Sequence, residues 1–454
     1  MEVLELARLQ FAFTTVYHFL FVPITLGLSI IVAVMQTMYF KSKDPARKES
    51  MKKLTKYFGV LFIINYTIGI VTGIVQEFQF GMGWADYSRF VGNVFGAPLA
   101  VEALLAFFIE STFIGIWIFG WNKLPKAVHL ACIWLVAIAS NISAYVILAA
   151  NTWMQHPVGF EIDEQGRAAM NDFFRVVLNP EAGITFAHVF TSAVVTSFVL
   201  VAVVAGYNVI KKKSMSKSMF PVLVTSLAMV IVFTFISLNV TGDASANMVM
   251  KNQPIKGAAM IGALNETTTP DQTGDATSSA TPKAAEASKG ATTSTDVIKQ
   301  FTEKFGDENF LPPAKAVATS FQVMNKVGYA MIAISALLLL LALLLRHKRV
   351  SYFWIFIILL PLPFIANTAG WLVTELGRLP FTVYGELLLK DSISPTLQSS
   401  QVWFSLIVFT LIYAVLAVIG YGLMIRFVKH DGKFNDHILG NEKIDDQISE
   451  GGAN

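Results

Sequence analysis

Nine apolar stretches, each long enough to cross a lipid bilayer as a helix, constrain this chain more than any other feature. A membrane-spanning helix needs about 20 apolar residues, whereas a barrel strand alternates apolar and polar positions over about 10. Charged residues make up 14% of the chain, against about 25% in an ordinary soluble domain. The sequence therefore predicts an all-α integral membrane protein. The stretches lie near residues 11–40, 58–75, 95–120, 127–150, 184–210, 220–240, 327–345, 353–373 and 402–427.

The loops between these stretches alternate in charge. Lys and Arg collect after every odd-numbered stretch, and short cytoplasmic loops carry these residues in excess. Every odd-numbered helix is therefore predicted to end in the cytoplasm, with an extracytoplasmic amino terminus and a cytoplasmic carboxyl terminus. The residues that carry this pattern are Lys41, Lys43, Arg47, Lys48, Lys52, Lys53 and Lys56, then Lys123 and Lys126, then Lys211, Lys212, Lys213 and Lys217, then Arg346, Lys348 and Arg349, and last Arg426, Lys429 and Lys433.

The stretches divide the chain into four regions. Six predicted helices occupy residues 1–240 and three occupy 323–430, with an extracytoplasmic loop at 241–322 between them and a cytoplasmic tail at 431–454. The first stretch is too long for a signal peptide and follows acidic rather than basic residues, so we expect it to remain as a helix.

The long loop contains two segments of different composition. Residues 267–294 are rich in Thr, Ser, Ala and Gly and predict a disordered linker. Residues 295–305, with the sequence TDVIKQFTEKF, predict a short surface helix.

Several classes of site are excluded by what the chain lacks. Its single cysteine, Cys132, lies in an apolar stretch, which excludes an intrachain disulfide framework and a Cys-rich metal or iron–sulfur site. We interpret Cys132 as a small core residue. No P-loop or G-x-G-x-x-G motif follows a strand signal, so the sequence gives no indication of nucleotide or nucleic-acid binding.

Metal-ligating and ionisable residues at membrane depth are the informative ones, because they are costly in hydrocarbon unless paired or functional. His18, Glu102, His188, Met324 and Glu375 all fall at the predicted outer ends of their helices. Neutral imidazole and thioether are common axial ligands of haem iron, so the set predicts a haem site. Taken singly, each residue also suits a packing role. The joint pattern also suits an outer-facing metal transporter or proton-coupled transporter.

Several short sequence blocks, spread along most of the chain, occur in the order and at the helix positions that are typical of one protein family. They are RLQFA at 8–12, YHFLFVP at 17–23, EFQFG at 77–81, FGAPLAVE at 95–102, FFIESTF at 107–113, SNISA at 140–144, WMQ at 153–155, GD at 242–243 with Ser245, and AGW at 369–371 followed by Glu375, Gly377, Arg378 and Pro380. These blocks resemble the large subunit of cytochrome bd quinol oxidases.

The resemblance implies two haem b groups and one haem d. His188 and Met324 would be the axial pair of a six-coordinate low-spin haem b, which only passes electrons. His18 and Glu375 would hold a high-spin haem b and a haem d, with Glu102 beside them. Iron with an empty position is what O2 chemistry requires. Which of His18 and Glu375 takes haem d stays open.

Three further residues match positions of the family near its haems. Trp371 resembles the aromatic residue between the haems. Arg8 and Arg378 are expected to meet haem propionates, since a guanidinium fork suits a carboxylate. Without the resemblance, Glu375 and Arg378 also predict an ion pair across one helical turn.

A polar path through the third and fourth helices is also expected. Glu102 and Glu110 are eight residues apart, so an ideal helix offsets them by about 12 Å and 80°. By resemblance, Glu110, Ser111, Ser140 and Ser143 would lead protons from the cytoplasm toward Glu102. Without the resemblance, a buried protonated Glu bonded to a backbone carbonyl is the alternative.

The positions expected to meet the electron donor depart from the family. Where the family loop has Tyr, Lys and Glu, this chain has Asn247, Lys256 and Ile261. Phe381 stands where the G-R-Q-P-W motif has Trp, and Gln322 stands where Arg is usual. Quinol oxidation needs an acceptor for its protons, and Ile261 cannot be one.

Three functional hypotheses follow. In the first, the chain oxidises quinol and reduces O2 to water with cytoplasmic protons. Asp243 and Lys256 would then contact the quinol, and Glu266 or a residue of a partner subunit would replace the missing carboxylate. In the second, it is a divergent paralogue that binds haem but does not itself oxidise quinol. In the third, it is a haem-free membrane transporter.

The resemblance also implies partners and a location. The family works with a second membrane subunit, so we expect subunit II or a homologous subunit, together with small single-helix subunits. The expected location is a bacterial or archaeal cytoplasmic membrane.

Overall fold

The computed structural model describes residues 2–212, 216–264, 294–345 and 352–430. Within these residues, nine helical segments are long and apolar enough to cross a membrane, which confirms the predicted fold class. We number them span 1 to span 9. Their bounds are Val3–Lys41, Pro45–Met82, Ala85–Phe119, Lys126–Gln155, Phe173–Lys211, Lys217–Asn252, Ala314–Leu344, Phe353–Leu376 and Ser399–Lys429.

Individual helices within the spans are delimited by breaks and π-helical turns. The helices are α1 Val3–His18, α2 Val22–Lys41, α3 Pro45–Met82, α4 Ala85–Val101, α5 Phe108–Phe119, α6 Lys126–Gln155, α7 Phe173–Val177, α8 Pro180–Lys211, α9 Ser216–Ile236, α10 Gly242–Asn252, α11 Pro254–Met260, α12 Ser294–Phe305, α13 Ala314–Leu344, α14 Phe353–Leu359, α15 Leu362–Leu376 and α16 Ser399–Lys429. Two antiparallel hairpins, β1 Phe160–Ile162 with β2 Ala168–Met170 and β3 Phe381–Val383 with β4 Leu387–Leu388, lie between spans.

Span 1 is broken where the sequence predicted a continuous helix. Helix α1 ends at His18, and α2 begins at Val22 with Pro23 in its first turn. Proline is tolerated there because the first N–H groups of a helix have no intrahelical partner. The break leaves His18 as the last residue of a helix.

Two short π-helical turns interrupt other spans. Glu102–Phe107 lies within span 3, and Ser237–Thr241 lies within span 6. Turns of this kind occur often at functional sites. The first begins at the predicted site residue Glu102, and the second contains Thr241, which contacts His188.

The region predicted as a long loop is partly helical. Span 6 continues through α10 to Asn252, and span 7 begins at Ala314, so Met324 lies inside a helix rather than ahead of it. Hydropathy marks the apolar part of a helix, and these helices extend beyond it. Helix α12 confirms the predicted surface helix.

Several predicted segments lie outside the described residues. The segment 267–294 does so except for Ser294, as do Glu266 and the tail 431–454.

An aromatic cluster packs α12, a helix of the long loop, against strand β3 at the end of the bundle. Phe301 packs on Phe381 with ring centroids 4.7 Å apart, and Phe305 and Phe310 also contact Phe381. Phe381 is 2% exposed, so this departure from the family motif lies in packed interior. Cys132 is buried in the main core, as predicted.

Candidate functional site

Side-chain contacts connect the surroundings of two predicted ligands, His18 and Glu375. His18 contacts Thr72, which lies in span 2. Phe19, the next residue, packs edge-on against Trp371 at 5.2 Å between ring centroids. One turn after Trp371, Glu375 accepts a hydrogen bond from Asn151 at 2.9 Å. These contacts link spans 1, 2, 4 and 8 around His18, Trp371 and Glu375.

The hydrogen bonds of His18 fix its tautomer. Thr72 Oγ1 donates its proton to the carbonyls of Ile68 and Gly69, at 3.1 and 3.0 Å. The same oxygen lies 2.9 Å from His18 Nδ1, so it accepts the Nδ1–H. Nε2 then carries the lone pair, which is the form in which a histidine binds a metal. The ring lies against Gly73, where a Cβ atom would stand 3.2 Å from Cε1.

His188 has a similar arrangement in span 5. Its Nδ1 atom lies 3.2 Å from Thr241 Oγ1, in the π-helical turn of span 6. Thr191 gives its own proton to backbone carbonyls and meets Thr241 at 3.2 Å, which leaves Thr241 able to accept from His188.

Met324 comes to the same region from span 7. Leu238, in the π-helical turn that Thr241 ends, packs on Gly328, one turn beyond Met324. The Met324 Sδ atom lies 3.2 Å from where a Cβ atom on Gly370 would be, so the missing side chain leaves the thioether its space. The π-helical turn of span 6 thus contacts both His188 and the helix that carries Met324.

Arg378 has buried donors without partners. Its Nη2 atom donates to Glu375 Oε2 at 2.5 Å, while Nε and Nη1 are buried and have no partner among the described residues. The side chain is 9% exposed. A buried donor left unsatisfied costs about 1–3 kcal/mol, and more when charged. A bound carboxylate, such as a haem propionate, would satisfy both nitrogens.

The candidate ligands are spread out rather than clustered. Among the residues described, no group of three or more His, Cys, Asp or Glu side chains could hold a bare metal ion. Haem iron needs only one or two axial ligands from the protein. The tautomer of His18, the space at Gly370 and the donors of Arg378 therefore fit haem. Arg8 is half-buried on α1.

The two predicted proton-path glutamates are linked to neighbouring serines of α6. Ser143 donates to Glu102 Oε1 at 2.5 Å, and Ser140 donates to Glu110. Serines three residues apart on a helix lie about 5–6 Å from each other. Glu110 is 7% exposed, whereas Ser111 turns its hydroxyl to the Phe108 carbonyl at 3.3 Å. Glu102 and Glu110 are therefore each bonded to a serine of the same helix, α6. Ser111 takes part in neither bond.

Lys256 lies on the loop side of the same bundle end. Its ammonium donates to Gln155 Oε1 and to the Thr374 carbonyl, both at 3.1 Å, and the side chain is 3% exposed. Burial lowers the pKa of Lys256 to about 8. Two of the three N–H groups of an ammonium are thus used internally. Asp243 is exposed in the first turn of α10.

Sequence reasoning missed the residues that support the ligands. Thr72, Thr241 and Asn151 fix the imidazoles and the carboxylate, yet a Thr or Asn in an apolar helix gives no pattern of its own. It also missed His156 and Glu181, whose side chains meet at 3.3 Å. Glu181 read alone is an ordinary acidic residue in a first helical turn, where it suits the helix dipole.

Comparison with known proteins now decides the family. Residues 6–432 match the family model described as cytochrome bd terminal oxidase subunit I. The chain belongs to this family. Membership in the subunit I family makes the chain a multi-pass membrane component of a bd-type terminal oxidase and implies haem cofactors and a complex with other subunits.

Curated relatives resemble this subunit I along nearly its whole length. It is 40% identical to cytochrome bd ubiquinol oxidase subunit 1 of Bacillus subtilis (strain 168), with 96% of each chain covered. It is 32% identical to cytochrome bd-II ubiquinol oxidase subunit 1 of Escherichia coli (strain K12), with 94% of this chain and 96% of the relative covered.

A solved structure shares the fold. The bd oxidase from Geobacillus thermodenitrificans superposes with a TM-score of 0.78 at 24% identity, covering 94% of this chain and 99% of that one.

Proposed function

We propose that this chain is the haem-bearing catalytic subunit of a quinol:O2 oxidoreductase that reduces O2 to water. Arg378 carries the proposal: it is a buried cation with two unpartnered donors, it is bonded to Glu375, and it therefore calls for an anionic cofactor at the predicted position. Two haem b groups and one haem d are the proposed cofactors. When bound, they would supply electron transfer from the quinol and the redox chemistry of O2.

The proposed roles of the ligands follow from their environments. His188 and Met324, whose helices both contact the π-helical turn of span 6, would hold the low-spin haem b. His18 and Glu375 would each hold a high-spin haem, with Arg378 and Arg8 binding propionates and Trp371 lying between the groups. Thr72 and Thr241 keep the imidazoles in the metal-binding tautomer.

The proposed proton route includes two bonds that are present in the structure, Ser140 to Glu110 and Ser143 to Glu102. Glu110 would receive a proton from the cytoplasmic side and pass it along Ser140 and Ser143 to Glu102. A membrane-embedded Glu is expensive unless it is functional, which supports this role. Ser111, bonded to its own helix, would act only after its hydroxyl rotates.

The quinol side is proposed around Lys256 and Asp243. With two N–H groups of Lys256 bonded internally, the third remains for a quinol oxygen. Quinol, O2, a second membrane subunit and small single-helix subunits are the proposed partners, in a bacterial cytoplasmic membrane.

One observation favours the paralogue instead. Ile261 is 40% exposed at the position of the family's carboxylate and cannot accept a proton. A chain with this substitution could bind haem and receive electrons from another donor. The transporter hypothesis gains no support, because the named relatives are oxidase subunits.

A reduced-minus-oxidised optical spectrum of the purified complex tests the proposal. Dithionite should reveal b-type and d-type haem, and a quinol as sole reductant should reduce both. Reduction by dithionite but by no quinol would favour the paralogue. Absence of haem would contradict both readings.

A further inference from the structure

A buried carboxylate and an exposed imidazole meet beside the loop helices, outside the haem and proton-path residues. His156 Nδ1 lies 3.3 Å from Glu181 Oε1. The Glu181 side chain is 9% exposed and that of His156 is 40% exposed. His156 is therefore accessible at the surface, and Glu181 is buried beneath it.

We propose that His156 and Glu181 together accept the protons released when quinol is oxidised, which rests on the proposed function. Glu181 would supply the carboxylate that Ile261 cannot. His156 would be the group that meets the quinol hydroxyl.

The bonding of the pair suits a base. A carboxylate that faces Nδ1 holds the imidazole with Nδ1 protonated, which leaves Nε2 as the acceptor and stabilises the imidazolium that forms. Asn252 also donates to Glu181 Oε1 at 2.7 Å and so fixes the carboxylate. Asn252 ends α10, so the loop itself positions the pair.

The pair adjoins the proposed quinol-binding lysine. His156 follows Gln155, whose side chain accepts from Lys256 at 3.1 Å and whose backbone carbonyl accepts from Gln253. A quinol with one oxygen near Lys256 would therefore be next to His156.

Glu181 also shares helix α8 with His188, the proposed ligand of the haem that would accept the electrons. Glu181 and His188 are seven residues apart on α8, which places them on the same helix face, within about 20° of each other and about 10 Å apart along the axis. Protons and electrons from one quinol would thus leave along a single helix face.

The step balances as follows. Oxidation of a quinol to a quinone breaks two O–H bonds and releases two protons and two electrons. The haem groups of the proposed function would accept the two electrons. The first proton forms an N–H bond at His156 Nε2, and the Nδ1 proton moves to Glu181. The exposed ring then releases the Nε2 proton to the outside while Glu181 returns its proton to Nδ1, which restores the lone pair on Nε2. The second proton follows the same path.

Lys256, on α11, interacts electrostatically with Glu181 and so bears on the pH dependence of the pair. Lys256 also interacts with Glu375 and Arg378, which form an ion pair with each other at the end of span 8. A variant that keeps the shape of Glu181 but removes its basic carboxylate is therefore needed to separate its contribution to the pH dependence from those of the other charged groups.

Glu181→Gln and His156→Gln in the intact complex provide the test. Glu181→Gln keeps an oxygen for Asn252 but cannot take a proton. Glu386→Gln, in an exposed pair with Lys304 at 2.7 Å, is the matched control. Dithionite spectra should be unchanged in all three variants, which shows that they fold and bind haem.

The expected result is a loss of quinol-driven haem reduction in the two test variants. General base catalysis contributes about 100-fold or more, so the rate should fall by that order and lose its acidic limb. Imidazole added to His156→Ala should restore part of the rate. Glu386→Gln should behave as wild type.

A second readout does not depend on turnover. Infrared difference spectra between quinone-equilibrated and quinol-equilibrated wild-type protein should show protonation of a carboxylate and an imidazole, and each signal should vanish in its own variant.

The outcomes separate the two proposals. If both test variants match wild type in rate, pH profile and infrared signals, the pair is a structural clamp on the loop and this inference is wrong. If the wild type itself is reduced by dithionite but by no quinol, the proposed donor fails, and the inference fails with it.

Discussion

Thr72 Oγ1 lies 2.9 Å from Nδ1 of His18 and gives its own proton to the backbone of its helix. This bond, rather than the histidine alone, would orient Nε2 toward the proposed haem iron. Residues that orient a ligand typically change metal affinity or activity by about 10–100-fold when lost.

Replacement of Thr72 by Val should therefore reduce high-spin haem content. Val keeps the shape and removes the acceptor for Nδ1–H, so we expect haem affinity at this site to fall by about 10–100-fold. Thr72→Ser should retain the haem. The haem-to-protein ratio and the dithionite-reduced spectrum measure this, and a full high-spin signal in Thr72→Val would contradict the role of Thr72.

Replacement of Gly370 by Val should remove the low-spin signal. The new Cβ would stand 3.2 Å from Met324 Sδ, and the further methyl groups would displace the thioether. Gly422→Val is the matched control, because nothing lies within 4 Å of a Cβ there. Retention of the low-spin spectrum in Gly370→Val would argue against Met324 as a ligand.

Replacement of Arg378 by Lys should deplete high-spin haem while sparing the low-spin haem. A lysine cannot reproduce the planar fork that bonds Glu375 and leaves two further donors for a carboxylate. Arg167→Lys, in an exposed ion pair with Asp163, is the control. Equal haem content in Arg378→Lys and wild type, by reduced spectra, would overturn this assignment.

Quinol affinity should fall as pH rises through about 8. Burial lowers the pKa of Lys256 to about 8, so the side chain is charged below that pH and neutral above it. The neutral amine keeps two N–H groups, which Gln155 and Thr374 already use, and loses the third. KM for quinol against pH measures this. In Lys256→Met, KM for quinol should be raised and should show no rise near pH 8. A pH profile of KM identical to that of wild type would exclude Lys256 from the quinol site.

Replacement of Glu110 by Gln should slow O2 reduction without loss of haem. The amide can still bond to Ser140 but cannot carry a proton, so we expect turnover to fall on the order of 100-fold. Glu5→Gln, in the first turn of α1, is the control. Oxygen uptake beside a reduced spectrum measures this, and wild-type turnover would exclude Glu110 from the route.

The sequence alone predicted the spans and the surface helix of the loop. Hydrophobic length and charge are properties of local sequence, and the bilayer acts on them directly. The break after His18 was not predictable in this way, because residues 19–21 are as apolar as the helices on either side. Pro23 marks the new start only once the helix ends are known.

The sequence also determined which residues are candidate ligands, since few ionisable residues stand at membrane depth. Only the tertiary structure decided how they are held. The bond of His18 to Thr72 and the meeting of His156 with Glu181 each join residues from different spans, and the packing of the spans leaves two donors of Arg378 buried without partners. No local pattern encodes such contacts, because they depend on how spans pack, and packing is fixed by the summed shape of side chains from many segments.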